Sequence, residues 1–500
     1  MTQRGSSPSS LGRLAVWTLP VFNVLIAVAA QILVPRLLQL GLSERDYTVY
    51  VALTSVAAYV GLGEGGVLIS LLRELAARHG AGDRAGFLVE ARRSRKLFVI
   101  AACLGGILAT TALATQREAL GGRGGLFLAG AVALVIGAMS DLAFGSFQTA
   151  MLLSTGRFLI GQLIGVATVV VPLTSLVIAL LVTKNLTTAV WAQALAWILL
   201  SIARGVHAAY VYRGETEGVE AHGEPAPLVT VVGPGALLKL AEVVQTASYP
   251  HLLSVLAPAF VPGAIPARTY ANATKLVTQQ FVNLLQVHVT RGLAGNAEQR
   301  ANARDNYELA ATFLTSSQLL QIGVAAAVAR PVFRAWLPNQ EPYIDSLLPG
   351  VLAWQALLAA CLPADILFVA AGHLRLLGVI RFVATTLGLG AVALTLGWAG
   401  RGALGLGLSL SAIPLFVFGL WGELSLLADV APPRRQTILR YGLSLGGALA
   451  CATYATQPWL AAVTCCGAGL VGLPRSVPKL WRLIRPSSDE RHRTDHDAHS

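Results

Sequence analysis

The sequence is poor in charge and lacks long polar stretches. Only 12% of its 500 residues are Asp, Glu, Lys or Arg, whereas 55% are hydrophobic, and the mean hydropathy is +0.64. Apolar runs close to 20 residues long recur along the chain, and a run of that length spans a bilayer as a helix. This composition excludes a soluble globular protein and predicts an all-α polytopic membrane protein.

Cysteine is also scarce, and signatures of catalysis are missing. The five cysteines fall in apolar segments, without the spacing of a metal site or a disulfide framework. The sequence contains no phosphate-binding glycine loop, zinc spacing or nucleotide fingerprint. The polar connections outside the membrane are too short for a catalytic domain. We therefore expect no enzyme activity, no cofactor and no metal site.

The basic residues are distributed by membrane topology. The net charge of +12 comes from Lys and Arg between the apolar runs, which argues against nucleic acid as the partner. We expect about fourteen spans, and most of the 37 Lys and Arg residues then fall on the side of the N-terminus. The positive-inside rule therefore predicts that both termini are cytoplasmic. The predicted spans are 14–38, 47–72, 97–114, 126–152, 158–182, 190–212, 231–256, 268–292, 309–332, 347–371, 374–398, 404–427, 438–454 and 459–473.

A short repeat suggests two halves. Gln31 is followed by Pro35-Arg36-Leu37-Leu38 in the first span, and Gln245 by Pro250-His251-Leu252-Leu253 in the seventh. Six spans in each half would relate them by an axis along the membrane normal. We expect two pseudo-symmetric six-helix bundles around a central cavity. The predicted parts are an N-terminal lobe (1–212), a cytoplasmic linker (213–229), a C-terminal lobe (230–428), two extra transmembrane helices (429–474) and a cytoplasmic basic tail (475–500).

The stretch 231–291 is the most polar of the apolar segments. Read as a helix, its second part places seven polar residues on one stripe: Arg268, Asn272, Lys275, Gln279, Asn283, Gln286 and Thr290. The preceding helix carries Lys239 and Glu242, and Pro250 is expected to break it. A membrane tolerates such groups when they face protein or water, so both stripes predict a shared polar cavity. The alternatives are that Lys239 and Glu242 merely pair at i, i+3, or that the second helix lies flat on the membrane.

Six segments form a diffuse pattern along the chain: LGLSERDY at 40–47, AAYVGLGEGG at 57–66, RELA at 73–76, GD at 82–83, RTYANATKL at 268–276 and FRAWLP at 333–338. This pattern resembles the polysaccharide (O-antigen type) flippases of the multidrug/oligosaccharidyl-lipid/polysaccharide exporter superfamily. The sequence departs from the usual form at Glu64, where that family has aspartate, and the last two helices carry no signature. The resemblance implies a two-lobed, V-shaped transporter that moves a lipid-linked oligosaccharide across the bacterial inner membrane by alternating access. It also implies a cationic cavity and transport that is driven by a proton or sodium gradient. The implied partners are membrane lipids and polysaccharide assembly proteins.

An oligosaccharide diphosphate needs cations for its phosphates and amide or hydroxyl groups for its sugars. Lys239, Arg268 and Lys275 are the candidate phosphate ligands. The candidate sugar ligands are Asn272, Gln279, Asn283 and Gln286, faced by Asn23 and Gln31 of the first span. Arg36 is a candidate at the outer mouth, with snorkelling to the membrane interface as its alternative.

Ion coupling needs a carboxylate whose protonation changes during the cycle. Glu242, Glu64 and Asp141 are the candidates, while Asp365 and Glu423 are weaker ones because they could lie near cytoplasmic helix ends. Arg204 is expected to snorkel to the interface. The alternative function is an ion-coupled multidrug or metabolite antiporter of the same superfamily, which would favour a more acidic or apolar cavity.

Overall fold

The computed structural model describes most of the chain. The described residues are 33–64, 67–68, 71, 74–75, 78, 83–115, 124–155, 158–216, 228–272, 274, 297–337, 345–426 and 433–484. Within these ranges every regular element is helical. Two compact units are formed, the first by Met1–Ala273 and Leu374–Leu404, the second by Thr274–His373 and Gly405–Ser500.

Ten α-helices have bounds within the described residues up to position 272, and the described residues between 67 and 78 are helical as well. The ten are α1 (33–41), α2 (Glu44–Ala58), α3 (Arg84–Thr115), α4 (Gly124–Ser140), α5 (Ser146–Ser154), α6 (Phe158–Thr183), α7 (Leu186–Thr216), α8 (Leu228–Val243), α9 (Tyr249–Leu256) and α10 (261–272). A 3₁₀ turn, Tyr59–Glu64, follows α2. Two π-helical turns, Asp141–Gly145 and Val244–Ser248, join α4 to α5 and α8 to α9.

The remaining described stretch contains six α-helices. They are α11 (Ala297–Trp336), α12 (Leu348–Ala370), α13 (Leu374–Ala399), α14 (Ala403–Trp421), α15 (Arg434–Ala452) and α16 (Pro458–Ile484). A third π-helical turn, Gly422–Leu426, extends α14. In the first unit α13 packs against α8, and in the second α15 and α16 pack against α12 and α11.

The polytopic, all-α fold class is confirmed. Eight helices within the described ranges are long and apolar enough to cross a membrane, and Pro458–Leu473 forms a shorter apolar helix. Their outward faces carry large apolar side chains, for example Ile107 (62% exposed), Val206 (67%) and Leu394 (81%). Such exposure would be unfavourable in water but is favourable in hydrocarbon. The division into two six-helix bundles and two extra helices stays a prediction.

Two sequence-based helix boundaries are wrong. Pro250 does not break its helix, because the π-helical turn Val244–Ser248 precedes it and α9 continues to Leu256. The wider turn makes room for the proline ring, which would clash with the preceding turn of a regular α-helix. The next helix was expected to begin at Arg268, but α10 begins at 261. Pro262 is its second residue, where a missing N–H costs little.

Candidate functional site

Three of the predicted site residues meet in one ionic cluster. The Lys239 ammonium lies 3.0 Å from the Glu64 carboxylate and 3.2 Å from the Glu242 carboxylate. Lys239 and Glu242 are one turn apart on α8, so the i, i+3 pair that the spacing allows does form. Glu64 joins this pair from the end of the 3₁₀ turn after α2. The predicted cation of the substrate site thus already has two anionic partners.

Glycines place Glu64 beside α8. At Gly63 a Cβ atom would lie 1.9 Å from the Ala101 carbonyl oxygen, and at Gly105 it would lie 2.1 Å from the Val60 carbonyl oxygen. The 3₁₀ turn and α3 therefore approach backbone to backbone, which only residues without a Cβ permit. This close approach fixes where the turn ends and thus where the Glu64 carboxylate lies.

A second link fixes the same turn against the α8–α9 segment. The hydroxyls of Tyr59 and Ser248 are 3.1 Å apart, and the Tyr59 ring lies edge-on to the His251 ring at 5.6 Å between centroids. Ser248 is the last residue of the π-helical turn, and this turn changes the direction of the chain between Val243 and Tyr249. The turn that carries Glu64 is thus held at its beginning by Ser248 and at its end by Lys239.

The two carboxylates of the cluster differ in their access to solvent or ligand. The Glu64 side chain is 8% exposed and that of Lys239 is 19% exposed, whereas the Glu242 side chain is 55% exposed. A buried ion pair is held strongly because leaving one partner alone is costly, while an exposed carboxylate is solvated and exchangeable. Glu64 is therefore the fixed partner of Lys239, and Glu242 is the partner that can be replaced.

Arg268 lies in a different environment from the one expected. Its side chain is buried, its guanidinium donates to the Gln245 carbonyl at 2.6 Å, and it lies 5.5 Å from the centre of the Tyr249 ring. These contacts tie α10 to the π-helical turn of the preceding segment. Asn272 is half-buried one turn later on α10, and Arg36 is half-buried on α1. Of the other predicted substrate ligands, Asn23, Gln31, Lys275, Gln279, Asn283 and Gln286 lie outside the described residues.

Half-buried Asp141 forms a second ionic cluster with buried Arg204. Asp141 opens the π-helical turn after α4, and the Arg204 guanidinium of α7 donates to its carboxylate. Arg204 also donates to the Gln148 side-chain oxygen at 2.9 Å and to the Gly145 carbonyl at 2.8 Å. Its side chain is only 8% exposed, so the expectation that Arg204 snorkels to the interface is wrong.

The two clusters in the first unit are neighbours. The π-helical turn Asp141–Gly145 and the 3₁₀ turn Tyr59–Glu64 both pack against α3, and they also contact each other. Each turn departs from α-helical geometry and carries a carboxylate, which is buried at Glu64 and half-buried at Asp141. Non-α turns of this kind are frequent at functional sites. The turns that carry the predicted coupling residues Glu64 and Asp141 are thus neighbours in the fold.

A third buried cluster lies in the second unit. Glu423 accepts hydrogen bonds from the Tyr307 hydroxyl at 3.1 Å and the Tyr441 hydroxyl at 3.5 Å, and from the Arg440 guanidinium. Glu423 is 1% exposed, so it does not lie at a solvated helix end as expected. Arg440 is not among the site residues predicted from the sequence. Its apolar and aromatic neighbours, including Tyr441, were the available signal that it is buried.

Comparisons with known proteins identify the fold. No protein-family model and no curated protein matches the sequence. An inward-facing multidrug resistance MATE family transporter of the MOP superfamily is 15% identical, with 83% of this chain and 98% of that chain covered and a TM-score of 0.57. The lipid II flippase MurJ, in an inward closed conformation, is 11% identical, with coverage of 94% and 100% and a TM-score of 0.55. A mutant of the Vibrio cholerae MATE transporter VcmN is 13% identical, with coverage of 83% and 97% and a TM-score of 0.53.

These similarities cover nearly the whole length of each neighbour, so the chain has the fold that MATE transporters and MurJ share. At 11–15% identity the comparisons define the fold and leave the activity to be argued from the residues.

Proposed function

We propose that this protein is a flippase that translocates a lipid-linked oligosaccharide of the polyprenyl-diphosphate type from the inner to the outer leaflet, for cell-surface polysaccharide biosynthesis. The observation that carries the proposal is the position of Lys239 between a buried carboxylate, Glu64, and an exposed one, Glu242. A diphosphate is an anion that can take the place of Glu242 beside Lys239. The fold supports the transport step, since its neighbours include a MATE transporter and a lipid II flippase.

In this mechanism Lys239 exchanges partners. Without substrate its ammonium is shared by two carboxylates, which leaves the cluster one negative charge in excess when both are ionised. A diphosphate approaching Lys239 is repelled by Glu242 until that carboxylate takes up a proton or turns away. Binding of the anionic headgroup is thus linked to protonation of Glu242, and a proton gradient can drive the cycle. Glu64 keeps Lys239 anchored to the 3₁₀ turn throughout.

Asp141 extends the coupling to a second turn. It is paired with Arg204, and its π-helical turn contacts the turn that carries Glu64. A change at Glu64 or Lys239 alters the packing of the 3₁₀ turn and hence of its neighbour. We assign Asp141 to this relay, with Glu242 as the residue that is protonated.

The rest of the polar stripe completes the proposed site. Lys275 supplies a further cation, and Asn272, Gln279, Asn283, Gln286, Asn23 and Gln31 supply amides for the sugars, since polar groups must replace the water that the headgroup loses. Arg36 lies at the outer mouth. We propose the bacterial inner membrane as the location, with both termini cytoplasmic, and polysaccharide assembly proteins as partners.

The second candidate is an ion-coupled multidrug or metabolite antiporter. One specific observation favours it: the Lys239 cluster contains two carboxylates and one ammonium, and the Glu242 side chain is 55% exposed. An organic cation would bind Glu242 directly, and it would need no change at Lys239. The flippase would therefore use Lys239 to bind an anion, whereas the antiporter would use Glu242, one turn away on α8, to bind a cation.

Transport by reconstituted protein separates the two candidates. Proteoliposomes containing a polyprenyl-diphosphate oligosaccharide are probed with a membrane-impermeant lectin, and parallel vesicles are assayed for ethidium uptake. A flippase moves the lipid-linked sugar, and Lys239→Gln slows it roughly tenfold or more because a charge-assisted contact is lost. Arg375→Gln, an exposed arginine at the start of α13, is the matched control and keeps the wild-type rate. Ethidium uptake that survives Lys239→Gln but not Glu242→Gln would instead identify an antiporter.

A further inference from the structure

A large groove lies in the first unit, between α3 and α7. Its volume is about 1080 Å³, slightly above the roughly 300–1,000 Å³ typical of small-molecule pockets. The walls come from α3 and α7, and Phe144 and Phe147 of the π-helical turn and α5 line it as well. Apart from one end, the lining is apolar.

The apolar walls of the groove are open to the surroundings. Ile100 on α3 is 54% exposed, and Ile202 and Val206 on α7 are 49% and 67% exposed. Both helices are among those long and apolar enough to span a membrane. Acyl chains are therefore the natural neighbours of these side chains.

One end of the groove is strongly basic. Arg92, Arg95 and Lys96 on α3 line it together with Arg213 on α7, and the first three are exposed. The Arg92 guanidinium donates to the Tyr212 hydroxyl at 2.9 Å, which connects the two walls at this end. On the orientation that the positive-inside pattern predicts, these cations lie at the cytoplasmic surface, where anionic lipids are concentrated.

We infer that this groove binds an anionic glycerophospholipid of the cytoplasmic leaflet, with its phosphate at Arg92, Arg95 and Lys96 and an acyl chain between α3 and α7. Charge complementarity selects the headgroup, because basic pockets between membrane helices bind anionic lipid headgroups. The exposed apolar walls select a molecule with a hydrocarbon chain over a free anion. The site is independent of the proposed substrate and does not use the Lys239 cluster.

The bound lipid would also support a functional turn. Phe144 belongs to the π-helical turn that Asp141 opens, and Gly205, next to Arg204, lies against the Phe144 ring. A Cβ at position 205 would lie 3.1 Å from that ring, so α7 and the π-helical turn are closely packed here. A chain in the groove packs on the outer side of Phe144 and fixes the turn that holds the Asp141–Arg204 pair.

Native mass spectrometry of the full-length purified protein tests the headgroup. The protein is incubated with phosphatidylglycerol or phosphatidylcholine of identical acyl chains. We expect wild-type protein to retain phosphatidylglycerol preferentially, and R92Q/R95Q/K96Q to lose that preference by roughly tenfold or more. R375Q/R434Q/R435Q removes three exposed arginines at the starts of α13 and α15 and is expected to keep it. Equal retention of both lipids by wild-type protein, or an unchanged preference in the first variant, would overturn the inference.

Blocking the groove tests the acyl chain without altering charge. Ala209→Trp fills the groove from the α7 wall, whereas Ala203→Trp places the same side chain on exposed α7 surface outside it. We expect the first variant to lose phosphatidylglycerol and the second to keep it. If Ala209→Trp retains the lipid, or if millimolar glycerol 3-phosphate displaces it as well as a second lipid does, the site holds an anion alone and the inference fails.

Discussion

The Lys239 ammonium and the Glu64 carboxylate lie 3.0 Å apart, although one residue belongs to α8 and the other to the turn after α2. The contact is therefore a tertiary one that joins the second and seventh predicted spans. The second carboxylate of the cluster, Glu242, comes from the same helix as Lys239 and is far more exposed. This asymmetry separates a structural partner from an exchangeable one.

The first prediction concerns the stability of the cluster. Glu64→Gln is expected to lower the free energy of unfolding by about 3–5 kcal/mol, because it leaves the Lys239 charge without its buried partner. Glu242→Gln should cost about 1 kcal/mol or less, since its carboxylate is 55% exposed. Thermal unfolding of the purified variants in detergent measures both.

The double variant Glu64→Gln/Lys239→Gln controls for a pure loss of packing. It removes both charges, so its unfolding temperature should recover toward that of the wild type. Equal destabilisation by Glu64→Gln and Glu242→Gln would contradict the assignment of Glu64 as the fixed partner.

The second prediction tests the glycine contact that positions Glu64. Gly105→Ala is expected to destabilise the protein by about 1–3 kcal/mol, because its Cβ would lie 2.1 Å from the Val60 carbonyl oxygen. Gly390→Ala on α13 is the matched control, since a Cβ there has nothing within 4 Å. The Gly105 variant should also lose transport, because the turn that carries Glu64 must shift. A Gly105→Ala protein as stable as the Gly390→Ala protein would disprove the close approach.

Part of this site could be predicted from the sequence. A lysine and a glutamate three positions apart in an apolar run indicate a pair on one helical face, and Lys239 and Glu242 do pair. The partnership with Glu64 could not be predicted, since no local pattern tells which turn packs beside α8. The glycines around Glu64 indicated a special backbone, but their effect depends on Gly105 of another helix.

The fold class was predictable and the helix ends were not. Apolar runs near the length of a bilayer identify spans because backbone polar groups in hydrocarbon must bond internally. An apolar run ends where polar residues begin, but the backbone hydrogen bonds of the helix continue through those polar residues. For this reason α3 begins at Arg84, thirteen residues before the span predicted to begin at position 97. The π-helical turns left no local signal beyond isolated residues such as Pro250.

The third prediction concerns Arg204. Arg204→Lys keeps the charge but cannot reach Asp141, Gln148 and Gly145 at once, because an ammonium lacks the planar fork of donors of a guanidinium. We expect a loss of about 1.5–3 kcal/mol in the free energy of unfolding, close to that of Arg204→Gln. Arg375→Lys, at an exposed position, should have no effect. A harmless Arg204→Lys would mean that the charge alone matters at this position.

The fourth prediction concerns the buried cluster of the second unit. Glu423 is 1% exposed and Arg440 is 6% exposed, and the tyrosine hydroxyls of Tyr307 and Tyr441 complete the shell around the carboxylate. Glu423→Gln or Arg440→Gln alone should each cost about 3–5 kcal/mol, because each leaves an uncompensated charge in a low-dielectric interior.

A double-mutant cycle separates this electrostatic effect from simple loss of packing. Glu423→Gln/Arg440→Gln should cost clearly less than the sum of the two single variants, since it removes both charges together. Tyr307→Phe is the control, as it deletes one hydrogen bond and leaves the ion pair, and it should cost about 1–3 kcal/mol. Thermal unfolding in detergent measures all four proteins. Arg440 lies on α15, and Glu423 lies in the π-helical turn after α14. If the effects of the two single variants are strictly additive, this ion pair does not attach α15 to the rest of its unit.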